Sequence, residues 1–203
     1  QLDALSANHR VVVPDLLWFG ESESTADPNI ETQARAILAL ADHLEVDRVD
    51  LVGISYGGFV ALTMHAIAPE RVGRVVMVDS PGPFYGPEER ASLLNRFEIE
   101  RESELFVPAN PQDMRRLLDA ALFRPPPLHG AIGRQVYEQH FAGHPAEKTR
   151  LLEELWERGR DLDPQSWQGP SDMLVIWGRA AAPRSAAWPL STSRSGPTTP
   201  SGA

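Results

Sequence analysis

The residues of this 203-residue chain best suited to chemistry lie between Asp50 and Ala66. There Gly53-Ile54-Ser55-Tyr56-Gly57 sets a hydroxyl between two glycines. An apolar stretch (Val49, Leu51, Val52) enters this motif and a helix-compatible run from Phe59 to Ile67 leaves it. A strand that passes straight into a helix must turn tightly, so the residue at the apex takes a strained backbone conformation. Gly53 and Gly57 are expected there because a Cβ would crowd the turn. Ser55 is then the candidate nucleophile, able to attack a carbonyl carbon. The helix that follows aims its unpaired N–H groups and positive dipole end at the same place. The resulting oxyanion would take the backbone N–H of Tyr56 as one donor. The plainer reading is a serine in an ordinary turn, and the flanking strand and helix weigh against it.

The surrounding elements explain how such a serine is held. Val11-Val12-Val13, within 10–14, is a continuous apolar run of the kind found in parallel strands covered on both faces. It ends in the loop Asp15 to Ser22. Ile30, Ala34, Ile37, Leu38, Ala41 and Leu44 recur at helical spacing, with Pro28 suited to the first turn. After the Ser55 motif, Pro69-Glu70-Arg71 stops the helix, and Val75 to Val78 forms another buried strand ending at Asp79. Strands alternating with helices predict a parallel sheet. Ligands of such sheets bind outside the carboxyl ends of the strands. Ser55, Asp79 and the 15–22 loop all fall at that edge.

From Pro81 to about Pro170 the alternation gives way to helices between proline-rich turns. Asn110 is a good N-cap with Pro111 after it, and further helical stretches cover about 132–141 and 146–158. This insertion, 83–165, reads as a mobile lid over the active edge. Met173 to Gly178 reads as a fourth parallel strand. The core is thus 1–82 plus 166–179. Of the 24 residues from Ala180 to Ala203, 22 are Ala, Pro, Ser, Thr, Arg or Gly, a composition that reads as disordered. The six histidines (His9, His43, His65, His129, His140 and His144) are assigned surface, loop or packing roles.

Composition narrows the classes. Hydrophobic residues make up 42% and charged residues 23%, ordinary for a globular protein. The net charge of −9, with no basic block, speaks against nucleic-acid binding. Cysteine is absent, which removes disulfides, thiolate metal sites and a cysteine nucleophile. No metal and no cofactor is expected. No apolar run approaches the roughly 20 residues of a membrane span. Membrane association and compartment stay open.

Together these pieces resemble the α/β-hydrolase family over nearly all of Gln1 to Arg179. Asp15-Leu16-Leu17-Trp18-Phe19-Gly20-Glu21-Ser22 is similar to the family's Asp-x-x-Gly-x-Gly-x-Ser loop, with Trp18 in place of a glycine. Gly53 to Gly57 matches its nucleophile elbow, and Leu174 to Arg179 its Leu-x-Ile-x-Gly-x strand. The 111–127 stretch is similar to monoacylglycerol lipase-like and esterase members. The resemblance implies an α/β fold, a parallel sheet with helices on both faces and an inserted helical lid. It implies Ser55 as nucleophile and the Tyr56 N–H as oxyanion donor.

The family's acid is expected two or three residues after Gly178, where Arg179-Ala180-Ala181-Ala182 stands. The family's histidine is expected one strand later and is not found. Asp79 stands where some members place the acid. The resemblance therefore ends abruptly near residue 180, and 180–203 is read as the product of a reading-frame change, with a natural disordered tail as the alternative. The implied function is lipase- or esterase-like hydrolysis of a carboxylic ester, of a lipid or a small acyl chain, through an acyl-enzyme on Ser55, with negligible activity expected of this chain as it stands. One alternative is a carbon–carbon bond hydrolase of the same fold. The other is a non-catalytic module of this fold that binds a ligand or partner.

Overall fold

The computed structural model describes residues 2–80, 82, 85–159 and 169–178. The boundary read at 165/166 and the tail read at 180–203 lie outside them. A short helix, α1 (Leu2–Ser6), leads into residues 10–16, which carry no regular structure. The strand expected at 10–14 is therefore not formed, and Val13 is 71% exposed. A strand exists only where a neighbour completes its ladder. Among the described residues no strand lies beside this run, and an apolar run by itself cannot supply one.

Helix α2 (Ile30–His43) starts at Asn29, whose side-chain oxygen accepts the Thr32 N–H at 2.8 Å. Pro28, expected inside the first turn, precedes the cap. Strand β1 (Val49–Ile54), helix α3 (Tyr56–Ile67) and strand β2 (Val72–Val78) follow, with a 3₁₀ turn at Pro69–Arg71. Among the described residues, five helices then intervene: α4 (Pro87–Phe97), α5 (Ser103–Phe106), α6 (Pro111–Ala121), α7 (Gly130–His140) and α8 (Pro145–Gly159). The cap read at Asn110 is formed, its side-chain oxygen accepting from the Gln112 and Asp113 N–H groups at 2.9 Å each. Strand β3 (Met173–Ile176) then joins the sheet.

All pairings are parallel in the order β1-β2-β3, so the three carboxyl ends share one edge. Ile30 and Ala34 of α2, Val60, Ala61 and Met64 of α3, and Val72, Val75 and Met77 of β2 form one buried cluster. Burying each larger side chain there contributes roughly 1.5–3 kcal/mol. Side chains alternate across a strand, so Val52, Val76 and Leu174 line up on the opposite face, as do Ile54, Val78 and Ile176. That second face is open: Val52 and Ile54 are each 61% exposed. Helices were expected on both faces, and among the described residues they cover one.

Candidate active site

Ser55 sits where β1 becomes α3, with φ +50° and ψ −118°. This is not the αL well but a region costly for any residue with a Cβ, so the strain read from the sequence is present. The turn is pinned on both sides. The Ser55 N–H donates to the Val78 carbonyl at 3.0 Å, and the Ser55 carbonyl accepts from the Gly58 N–H at 3.0 Å. The Ser55 side chain is exposed and caps no amide of α3. Among the described residues its hydroxyl makes no hydrogen bond and is open to solvent. Tyr56 is the first residue of α3, so its N–H belongs to the turn that has no intrahelical acceptor.

The two glycines differ. A Cβ on Gly53 would overlap the Gly57 carbonyl and the Gly58 backbone. A Cβ on Gly57 would meet nothing within 4 Å beyond its own helical turn, so the expectation of crowding at Gly57 is corrected. The second constrained glycine is Gly58, where a Cβ would overlap the Ser80 hydroxyl. Close packing of α3 on the end of β2 requires it. The sequence offered the signal in the Gly57-Gly58 pair.

Asp79 follows β2 with φ +46°, and its N–H donates to the Ile176 carbonyl at 2.9 Å. Its Oδ1 accepts the Gly178 N–H at 2.7 Å. The carboxylate thus clamps the ends of β2 and β3 together, which is a different use from the acid role weighed for it. None of the six histidines hydrogen-bonds Ser55 among the described residues. His65 lies along α3 with a buried, unpartnered Nδ1, and His129 packs on the Arg115 guanidinium.

The 15–22 loop closes over this edge. Gln33 of α2 bonds both the N–H (2.9 Å) and the carbonyl (2.8 Å) of Leu17. Trp18 is buried with φ +66°, in the left-handed region that a glycine occupies without strain. Its N–H donates to the Ser22 carbonyl at 2.9 Å. Phe19 leans on the Tyr56 ring, with centroids 6.1 Å apart. Beyond Phe19 stands Lys148 of α8, which the sequence reading passed over. Its signal was that it is the only lysine among 18 arginines. A cleft of about 430 Å³ lies nearby, lined by Val12, Pro14, Asp15, Leu17, Ser22, Ala36, Ile37 and Leu40, but Ser55 contributes none of its wall. Among the described residues no group of three or more His, Asp or Glu side chains is placed to hold a metal. None of the described helices is long and apolar enough to cross a membrane.

The profile of the family described as "alpha/beta hydrolase fold" matches residues 1–170. A 2-hydroxymuconate semialdehyde hydrolase of Pseudomonas sp. (strain CF600) is 36% identical over 188 residues, covering 86% of this chain and 61% of that enzyme. The chain therefore spans less than two thirds of that relative. Among solved structures, a membrane phospholipase A described as a bacterial virulence factor superposes with a TM-score of 0.61 at 28% identity. It covers 81% of this chain and 52% of its own. A meta-cleavage product hydrolase variant superposes at 0.65 and 21% identity, covering 88% and 65%, a likeness of fold.

Proposed function

Because this chain belongs to the α/β hydrolase fold family, we propose that it carries the nucleophile, Ser55, of a serine hydrolase that breaks a carbon–carbon bond beside a carbonyl. The observation that carries the nucleophile assignment is the strained backbone of Ser55 with its hydroxyl unused by the fold. The choice of bond rests on the relative at 36% identity. A muconate semialdehyde is an unbroken chain of carbons with no ester or amide link. Its hydrolysis has to separate two carbons.

The chemistry asked of the site is then specific. The substrate reacts as its keto tautomer, in which the carbon next to the terminal carbonyl has taken the proton of the 2-hydroxyl. The Ser55 Oγ adds to that carbonyl carbon, its own proton passing to solvent, and the oxyanion is held at the Tyr56 N–H. The carbon–carbon bond then breaks as the oxyanion collapses to the acyl-enzyme, and its electron pair moves through the conjugated chain to the 2-oxo oxygen, which takes a proton. Water then releases the acyl group from Ser55 as an acid. This reading reverses the order of the sequence-based expectations, in which ester hydrolysis came first. Ester hydrolysis remains the second reading, favoured by the phospholipase neighbour.

The test compares 2-hydroxymuconate semialdehyde and p-nitrophenyl butyrate in parallel on a form of the protein extended to the length of its relatives, following both product formation and the mass of the Ser55 peptide. The proposal expects the semialdehyde to be processed in preference, and Ser55→Ala to remove both signals. Preference for the ester moves the assignment to the second reading. Processing that survives Ser55→Ala overturns both.

A further inference from the structure

We propose that Lys148 is a positioning residue that couples the inserted helices to the nucleophile turn, acting through Phe19 on Tyr56. Lys148 is only 8% exposed, and no carboxylate pairs with it among the described residues. Its ammonium lies 5.1 Å from the Phe19 ring centroid, within cation–π range. It also donates to the Phe141 carbonyl at 3.4 Å, at the C-terminal end of α7, where a cation opposes the negative end of the helix dipole. The other side of the aromatic pair is Tyr56, adjacent to Ser55. One side chain thus joins α7, α8 and the 15–22 loop, and the loop bears on the residue whose N–H faces the oxyanion.

Two further observations place this face of α8 inward and against α2. Leu151, one turn after Lys148, is buried, and a Glu154 carboxylate oxygen accepts the Ile30 N–H at the start of α2 at 3.0 Å. These three positions recur at helical spacing on one face. An apolar residue at 148 would suffice to fill the space. A buried ammonium without a carboxylate costs desolvation, and burial pushes its pKa down from the ordinary 10.5. What the cation adds over an apolar side chain is the directional hold on the Phe19 ring and on the Phe141 carbonyl.

Naming the Tyr56 N–H as the group positioned rests on the proposed function, but the coupling is measured without any turnover. Failure of Ser55 chemistry and failure of the coupling are therefore separate results. Hydrogen–deuterium exchange on the whole chain is compared for the wild type, Lys148→Met, Lys148→Arg and Phe19→Leu. Lys148→Met is expected to speed exchange in the peptide containing Tyr56 by about tenfold. Lys148→Arg, which keeps a cation over the ring, is expected to restore most of the protection. Phe19→Leu should reproduce the effect at Tyr56 while leaving the end of α7 protected. Faster exchange confined to 137–150 would overturn the proposal and leave Lys148 a helix cap. Should Lys148→Met not fold, the single lysine supplies a second measurement in [¹³C]lysine-labelled protein. Its ε-protons are expected upfield of the random-coil position, and to return there in Phe19→Leu. An unshifted wild-type resonance would overturn the proposal.

Discussion

Ser55 holds a backbone conformation that a glycine would hold more cheaply, with φ +50° and ψ −118°. Relieving such strain is worth on the order of 1–3 kcal/mol, so Ser55→Gly is expected to raise the melting temperature while removing the hydroxyl. Thermal denaturation of that variant beside Ser55→Ala checks it, since alanine keeps the Cβ and the strain. Gly53→Ala should be much worse, destabilising by about 2 kcal/mol or more through overlap with the Gly57 carbonyl. Gly57→Ala should be neutral or mildly stabilising, because α3 there has room for a methyl and alanine favours helix. Chemical denaturation of the pair decides between them. At this scale the sequence was legible where chemistry leaves a local signature, as with Ser55 and Gly53. It was not legible where packing decides, as with Gly58 against Ser80. The Phe19–Lys148 contact joins residues 129 positions apart, and no local pattern announces it.

Between elements, single side chains carry the joints. Asp79 ties the end of β2 to the second residue after β3 through the Gly178 N–H. Among the inserted helices, Arg90 of α4 bonds both oxygens of Glu102, at 2.7 and 3.1 Å, and stacks 4.4 Å over the Trp156 ring of α8. Tyr85 donates to the same Glu102 at 3.1 Å. Burial, reinforced by the Glu102 carboxylate, pushes the Tyr85 phenol well above its ordinary 10.0. The folded form then keeps this proton when the unfolded chain loses it. Stability is therefore fully present below pH 10 and falls as the pH rises above it. Tyr85→Phe is expected to flatten that part of the decline, which melting curves between neutral and alkaline pH will show. The helices of the insertion were legible because Asn110-Pro111 and the proline-rich turns mark their ends. The 10–14 run misled because three valines state a preference for burial and not which strand lies alongside.

Among the described residues, the sheet has one face packed and one face open. The in-register rows Val52–Val76–Leu174 and Ile54–Val78–Ile176 form a contiguous apolar surface. Exposed apolar patches of this kind favour association. Ile54→Thr combined with Ile176→Thr is expected to reduce concentration-dependent light scattering with little loss of melting temperature, since neither side chain is packed on the core cluster. The family was legible in the sequence because the elbow, the 15–22 loop and the 174–179 strand each keep their local residues. The kind of bond cleaved was not, since the carbonyls of an ester and of a semialdehyde ask the same of a serine and a backbone N–H.

The central claim, that Ser55 is the nucleophile, is tested most directly by labelling a form of the protein extended to the length of its relatives with a fluorophosphonate and mapping the adduct by mass spectrometry. The account predicts one adduct, on the peptide holding Ser55, that disappears in Ser55→Ala. An adduct on another residue, or labelling undiminished by that substitution, would contradict it.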